Sequence, residues 1–144
     1  MGPYTWEPHE TKTADGWHLT IFRITGREGK PTDENPENEG KLPVMFQHDG
    51  AVSYVSGDAL PVQLVDLGYD VWMGNNRGMK YSNVHDRDGE WSLAERWDFN
   101  WATMGEYDLP AMISKVIEVS EKPKTTIITF SSGAPQCIYS MVKD

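Results

Sequence analysis

The alternation of short apolar runs with helical patterns constrains the fold of this chain more than any other feature. Residues 42–47 and 69–73 are apolar runs that each lead into a glycine-containing turn, which is typical of buried strands. Between them, residues 57–67 place Leu60 and Leu64 at helical spacing. This order predicts a parallel strand–helix–strand unit, because parallel neighbours need a long crossover connection.

The same alternation continues in the second half of the chain. Residues 103–119 carry an apolar helical stripe that Pro110 is expected to kink. Residues 125–130 form a β-branched strand pattern, and a helix is predicted over 134–143 after the turn at 131–133. We therefore predict an α/β fold with a mostly parallel sheet flanked by helices.

The first 40 residues predict a hairpin followed by a loop. Residues 17–24 alternate after the Asp15-Gly16 turn, and residues 6–13 are their predicted pairing partner. Residues 26–40 contain only glycine, proline and polar or charged residues. This composition predicts a solvated, mobile loop.

Composition and charge narrow the functional classes. A chain of 144 residues suffices for one domain with a single hydrophobic core. With 22 Asp and Glu residues against 13 Lys and Arg residues, the formal charge of −9 repels phosphate backbones, so nucleic acid is not an expected partner. No apolar run approaches the roughly 18 residues that a membrane-spanning helix needs, so no transmembrane segment is predicted.

No metal site and no cofactor are predicted. Cys137 is the only cysteine, which excludes an internal disulfide and a cysteine-based zinc site. The acidic run 86–89 begins like a calcium loop, but Trp97 stands where an EF-hand requires glutamate. A turn is therefore predicted there.

One short motif indicates chemistry. Residues 129–133, Thr-Phe-Ser-Ser-Gly, match the nucleophile-elbow pattern G-x-S-x-G with its first glycine replaced. An apolar strand pattern precedes the motif and a helix with Pro135 in its first turn follows it. Ser131 is the candidate nucleophile, and the backbone N–H of Ser132 is a candidate oxyanion donor. A Ser-Ser-Gly sequence is also an ordinary turn at a helix start, and the motif alone does not separate the two interpretations.

Four stretches of the chain resemble the acid lipase family, which includes the gastric and lysosomal triglyceride and cholesteryl ester lipases. These are residues 15–24 at the predicted hairpin, Phe46-Gln47-His48, the run Gly-Tyr-Asp-Val-Trp-Met-Gly-Asn-Asn-Arg-Gly at 68–78, and residues 106–111. The resemblance covers essentially the whole chain but only the N-terminal part of a family member. It implies an incomplete α/β-hydrolase that ends after the nucleophile elbow and its helix.

The resemblance also implies chemistry and further site residues. The family hydrolyses carboxylic esters of neutral lipids through an acyl-serine, which would form on Ser131. The second oxyanion donor would come from the backbone N–H groups of Asp49 and Gly50, with His48 in a structural role. Family members are secreted or lysosomal, whereas no signal-peptide pattern follows Met1, so the compartment stays open.

The chain departs from the family pattern at the elbow and in the oxyanion loop. The family's Gly-His-Ser-Gln-Gly is Thr-Phe-Ser-Ser-Gly at 129–133, and its His-Gly is His-Asp-Gly at 48–50. In this fold the acid and then the histidine of the triad follow the serine. After Ser131 the sequence has Asp144 as its sole acid and no histidine. The four histidines all precede the serine: His9, His18, His48 and His85.

A complete triad is therefore not expected from these residues, and the chain alone is expected to be inactive. The first hypothesis is a noncatalytic subunit or docking module of a larger assembly. The alternative is a lipid carboxylic-ester hydrolase with Ser131 as nucleophile, completed by a second polypeptide. Either hypothesis expects another protein chain to cover the edge of strand 125–130 and the helix 134–143, because in this fold that strand lies mid-sheet. Neutral lipid esters are the ligands that the resemblance implies.

Two further groups of residues have predicted structural roles. Arg77 and Asp108 are expected to make structural contacts away from the chemistry. The aromatic residues of 91–107 are expected to fill a core rather than to line an acyl pocket, because large aromatic side chains dominate core packing.

Overall fold

The computed structural model describes residues 4–31, 40–47 and 59–143, and strands alternate with helices over most of this length. The strands are β1 (Tyr4–Lys12), β2 (Trp17–Arg27), β3 (Lys30–Pro31), β4 (Val44–Gln47), β5 (Val71–Met73), β6 (Val84–His85) and β7 (Thr126–Thr129). The helices are α1 (Leu60–Asp66), α2 (Leu93–Arg96), α3 (Trp101–Thr103), a π-helical segment (Met104–Asp108), α4 (Leu109–Ser120) and α5 (Gly133–Lys143). The predicted α/β class is confirmed.

The described strands form one sheet in the order β1-β2-β5-β4-β7, with β3 and β6 also paired to β2. Only the pairings of β4 with β5 and of β4 with β7 are parallel. The pairings of β2 with β1, β3, β5 and β6 are antiparallel. The prediction of a mostly parallel sheet is therefore wrong, and the sheet is mixed. The strands joined by helices are parallel, whereas the tight turn after β1 forces antiparallel pairing and β2 then meets β5 in the opposite direction.

The predicted hairpin is confirmed. β1 and β2 pair from Tyr4↔Arg27 to Lys12↔His18, and the N–H of Gly16 donates to the carbonyl of Thr13 at 3.0 Å in the turn. β2 continues to Arg27 and pairs with β3, so the first residues of the predicted loop 26–40 belong to a second, short hairpin. Residues 32–39 lie outside the described residues, and the mobility of the loop stays a prediction.

The sheet buries apolar side chains on both faces, which explains why its central strands are apolar without alternation. In β5, Trp72 joins one cluster, while Val71 and Met73 join the other. The first cluster contains Trp17, Leu19, Ile21, Met45, Trp72, Leu109, Met112, Val116 and Cys137, so α4 and α5 cover that face. The second contains Ile24, Val65, Val71 and Met73, so α1 covers the other.

The predicted helix 103–119 exists as three joined pieces, and its irregularity lies before Pro110 rather than at it. Pro110 is in the first turn of α4, directly after the π-helical segment. The π-helical segment carries Gly105 against α5: a Cβ atom on Gly105 would lie 2.5 Å from the carbonyl oxygen of Gln136. Close approach of α5 therefore accompanies the local change in helix geometry.

A buried ion cluster connects the hairpin turn to the helical half. Arg77 is 2% exposed. Its Nε donates a hydrogen bond to Asp108 at 2.7 Å, and its Nη1 donates one to Asp15 at 2.7 Å. Burial raises the pKa of Asp108, against the opposing hydrogen bonds from Arg77. Partial burial disfavours ionised Asp15, but the hydrogen bonds from Arg77 and Thr13 outweigh it and lower the pKa of Asp15. The structural roles predicted for Arg77 and Asp108 are confirmed.

The aromatic residues of 91–107 divide between the core and the surface. Trp91 and Phe99 pack against the first core cluster, as predicted. Trp97 and Trp101 are 51% and 49% exposed, so for these two the core prediction is wrong. The run 86–90 forms hydrogen-bonded turns, and Asp86 pairs there with Lys12 and His18, which agrees with the predicted turn. No helix in the described part of the chain is both long and apolar enough to cross a membrane.

Candidate nucleophile elbow

Ser131 lies on a sharp turn between β7 and α5. Its φ angle is +52°, in the left-handed region, and Glu121 is the only other non-glycine residue with positive φ among the described residues. A left-handed backbone costs an L-residue about 1–2 kcal/mol, so it persists only where the surroundings impose it. A strained residue between a strand and a helix is the backbone geometry of a nucleophile elbow. Ser131 is exposed there.

Backbone hydrogen bonds fix this turn to the end of β4. The N–H of Phe130 donates to the carbonyl of Gln47 at 3.0 Å. Within the turn, the N–H groups of Gly133 and Ala134 donate to the carbonyls of Phe130 and Ser131 at 3.0 and 3.1 Å. The residues on both sides of Ser131 are therefore held, and its strained conformation follows from these constraints.

Close packing explains the last glycine of the motif. A Cβ atom on Gly133 would lie 2.4 Å from the carbonyl oxygen of Gln47, closer than two such atoms can approach. Gly133 therefore allows α5 to start directly against β4. An ordinary serine-rich helix start has no such requirement, so this contact favours the elbow interpretation.

The predicted oxyanion hole is described only in part. Ser132 is half-buried in the turn that leads into α5. No backbone acceptor is recorded for its N–H within the described part of the chain, and the N-terminal end of an 11-residue helix favours negative charge. The other predicted donors, Asp49 and Gly50, and the neighbouring His48 lie outside the described residues and remain predictions.

The described histidines lie far from the elbow in the sheet. His9 is on β1 beside Glu7, with Nε2 and Oε1 2.8 Å apart, and His18 is on β2. His85 is on β6, with its Nε2 2.8 Å from the carbonyl of Asp15. These strands form one side of the sheet, and β5 and β4 separate them from β7. None of these three histidines is therefore placed to act as a base for Ser131, and Asp144 lies outside the described residues.

Curated proteins similar to this chain are lipases. A probable lipase of Schizosaccharomyces pombe is 37% identical over 150 residues, covering 96% of this chain and 31% of that protein. Lipase 1 of Drosophila melanogaster is 37% identical over 139 residues, covering 90% of this chain and 28% of that protein. Gastric triacylglycerol lipase of Rattus norvegicus is 33% identical over 137 residues, covering 90% of this chain and 33% of that protein. The chain is a partial homologue of the acid and gastric lipases.

The lipase-like chain spans about a third of the length of these relatives and aligns as the N-terminal region of the family. No family model matches it. Among solved structures, an esterase of Pyrococcus furiosus superposes with a TM-score of 0.59 at 19% identity, covering 94% of this chain and 45% of that one. This likeness shows the fold: the lipase-like chain matches part of an esterase α/β-hydrolase structure.

The altered positions of the lipase-like elbow fit the strand without breaking it. Thr129, in place of the first glycine, is half-buried and lies opposite Gln47 in the parallel ladder. Phe130 follows with 59% of its surface exposed, directly beside Ser131. A β-branched residue therefore extends β7 to the edge of the turn, and an aromatic ring is presented to solvent beside the nucleophile candidate.

A buried amide cluster beneath the elbow was not anticipated from the lipase-like sequence. Gln47 is 1% exposed, and its Nε2 donates to Asn76 Oδ1 at 2.6 Å and to Gln136 Oε1 at 2.9 Å. The available signal was a glutamine at the end of an otherwise apolar strand. Its two partners are far away in the sequence, so the cluster could be recognised only in the fold.

Proposed function

We propose that this chain carries the nucleophile of a lipase-like carboxylic-ester hydrolase, with Ser131 as that nucleophile. The observation that carries the proposal is the left-handed backbone of Ser131 at the turn where Gly133 meets β4. Strain at an exposed serine between a strand and a helix has no evident benefit for stability, whereas it presents the hydroxyl for attack.

The reaction has two steps. The hydroxyl oxygen of Ser131 attacks the ester carbonyl while a base accepts its proton, and the N–H of Ser132 donates to the developing oxyanion. The intermediate collapses to an acyl-serine, and the alcohol leaves with the proton held by the base. Water then attacks the acyl-serine, the carboxylic acid leaves, and Ser131 regains its proton.

The base and its orienting acid come, in this proposal, from outside the described residues. They belong either to further residues of the same polypeptide or to a second polypeptide. Support for the substrate class comes from the relatives, one of which is named as a triacylglycerol lipase. The exposed ring of Phe130 beside Ser131 suits an apolar substrate.

A serine-reactive fluorophosphonate tests this proposal on the native polypeptide in its native assembly. Nucleophilic attack by Ser131 displaces fluoride and leaves a phosphonylated serine. We expect labelling that disappears in Ser131→Ala and persists in Ser132→Ala, because the latter keeps its backbone N–H. Equal labelling of the native protein and Ser131→Ala, or none of either, would contradict the proposal.

A second candidate function is a noncatalytic docking module. The observation that favours it is the apolar outer face of α5, where Ile138, Met141 and Val142 are 63%, 70% and 81% exposed. Within the described residues, β7 has β4 as its only strand partner. An intact assembly with no fluorophosphonate labelling would favour this candidate over the hydrolase.

A further inference from the structure

Gln47 is a buried amide at the meeting point of three elements. It ends β4, its Nε2 binds Asn76 in the loop after β5 at 2.6 Å, and the same nitrogen binds Gln136 in α5 at 2.9 Å. Asn76 and Gln136 are themselves only 2% and 1% exposed. One side chain therefore links the end of β4 to the loop after β5 and to the helix that follows Ser131.

Glycines on two sides enclose this residue. A Cβ atom on Gly74 would lie 2.2 Å from Gln47 Oε1, and one on Gly133 would lie 2.4 Å from the main-chain oxygen of Gln47. The backbone thus approaches Gln47 closely from the loop after β5 and from α5. A side chain at either glycine would collide with Gln47, so both elements pack directly against it.

The Gln47 side chain leaves one of its hydrogen-bonding atoms unpaired, which a residue that only stabilised the fold would not be expected to do. Its Oε1 is buried and accepts no hydrogen bond from the residues that the structure describes. A buried unpaired acceptor destabilises a protein, and an apolar side chain of the same length would avoid that penalty. The two directional bonds from Nε2 are what an apolar side chain could not provide.

We propose that Gln47 is a positioning residue for the nucleophile elbow, an inference that rests on the proposed function. Its carbonyl holds the N–H of Phe130, the residue before Ser131, at 3.0 Å. Its side chain holds α5, the helix after Ser131, through Gln136. Both sides of the strained serine are therefore fixed to one residue, and Ser131 Oγ keeps its place relative to a substrate carbonyl. Such placement must hold to within about 0.5 Å.

The test measures fluorophosphonate labelling of the native protein as a function of probe concentration, which separates the maximal labelling rate from the half-saturating concentration. Gln47→Met keeps the side-chain length and removes both hydrogen bonds. We expect its maximal rate to fall about tenfold to a hundredfold, as small misplacements of reacting groups do. The half-saturating concentration should stay within about twofold, because Gln47 is buried and does not touch the probe.

Two control variants separate positioning from general damage. Ser82→Ala removes a buried hydroxyl that donates to the Asn75 carbonyl at 2.8 Å and accepts from the Thr20 N–H at 3.0 Å, and it leaves both side-chain bonds of Gln47 in place. It should lower the melting temperature and keep the labelling rate. Gln63→Met makes the same chemical change on the exposed surface of α1, and it should keep both the melting temperature and the labelling rate of the native protein.

Each result of this experiment either supports or overturns the inference about Gln47. A native protein that is not labelled overturns the proposed function, and this inference with it. A labelled native protein with an unchanged rate in Gln47→Met overturns this inference alone, as does an equal loss of rate in Ser82→Ala. If Gln47→Met does not fold, Gln136→Met takes its place. It removes the link from Gln47 to α5, together with the bond from Gln136 Nε2 to Met104 Sδ at 3.5 Å, and keeps the bond from Gln47 to Asn76. A rate equal to that of the native protein would then overturn the inference.

Discussion

The two edge strands of the described sheet, β1 and β7, differ in the side chains that surround them. At the β1 edge, polar and charged side chains are paired: Glu7 with His9 at 2.8 Å and Lys12 with Asp86 at 2.6 Å. Pro8 in the same strand has no N–H to offer another strand. At the β7 edge, α5 exposes Met141 and other apolar side chains instead. Among the described residues, the first edge is protected against further pairing and the second is not.

The candidate site lies in the parallel half of the sheet, on the β7 side. The parallel strands β4, β5 and β7 direct their carboxyl ends to one side, where ligands bind in open α/β sheets. Gln47, Asn76 and Ser131 lie at or just beyond those ends. Arg77, which follows Asn76 in the chain, instead binds the buried carboxylate of Asp108 and the partly buried carboxylate of Asp15 in the hairpin turn, and these ion pairs serve stability. Substitutions in the Arg77 cluster and at the candidate site should therefore differ in their effects on stability and on labelling.

The largest expected effect is on stability, at the Arg77 ion cluster that joins the β1–β2 turn to Asp108 of the π-helical segment. Arg77→Met removes the cation from Asp108, which is 0% exposed, and leaves a buried carboxylate without its ion-pair partner. We expect the free energy of unfolding to fall by about 3–5 kcal/mol, measured by urea denaturation. Arg87→Met, at an exposed position paired with Glu90, serves as control and should change little. Equal losses in the two variants would show that the cluster around Arg77 is unimportant.

The next effect concerns the elbow. Gly133→Ala places a Cβ atom 2.4 Å from the Gln47 carbonyl oxygen, so α5 must move away from β4. We expect a loss of about 1–3 kcal/mol in the free energy of unfolding, together with slower fluorophosphonate labelling of Ser131. Gly89→Ala is strained by its φ of +92° but meets no atom within 4 Å, so it should lower stability without slowing labelling. Slower labelling in both variants would argue against a specific role for Gly133.

A smaller effect is expected from pH. The pKa of Asp15 is lowered in the folded state, so its ionised form favours folding. That contribution is present above the unfolded pKa, near 3.8, and is lost as the pH falls through the lower folded value. The melting temperature of the native protein should exceed that of Asp15→Asn at pH 6, and the gap should close below pH 3.8. A gap that is constant with pH would contradict this assignment.

The smallest effect on stability is expected at the β7 edge. Met141 is 70% exposed, so Met141→Lys should leave the intrinsic stability of the described fold almost unchanged. If another chain covers α5, as predicted from the sequence, the variant should lose association in sedimentation velocity while it stays folded. Leu93→Lys, at a 78% exposed position on α2, is the control and should associate normally. Unchanged association in Met141→Lys would contradict coverage by a partner.

Local sequence signals predicted much of this fold. The hairpin of β1 and β2 follows from strand alternation around Asp15-Gly16, and the elbow follows from the fixed spacing that ends at Gly133. Both are determined by residues close together in the chain, which is why pattern and propensity suffice for them.

Features set by distant contacts could not be predicted in the same way. The antiparallel pairing of β2 with β5 joins Phe22 to Met73, and no local pattern encodes it. The π-helical segment accompanies the contact of Gly105 with α5, and the link from Gln47 to Gln136 spans 89 positions. Each depends on which elements meet in space, so each became visible only in the structure.

Mapping of the fluorophosphonate adduct by tandem mass spectrometry tests the central claim most directly. The native protein in its native assembly is labelled, digested, and sequenced across residues 125–143. The nucleophile-elbow account predicts a single phosphonyl group on Ser131 and none on the adjacent Ser132. An adduct on Ser132 or on a serine elsewhere, with Ser131 unmodified, would contradict it.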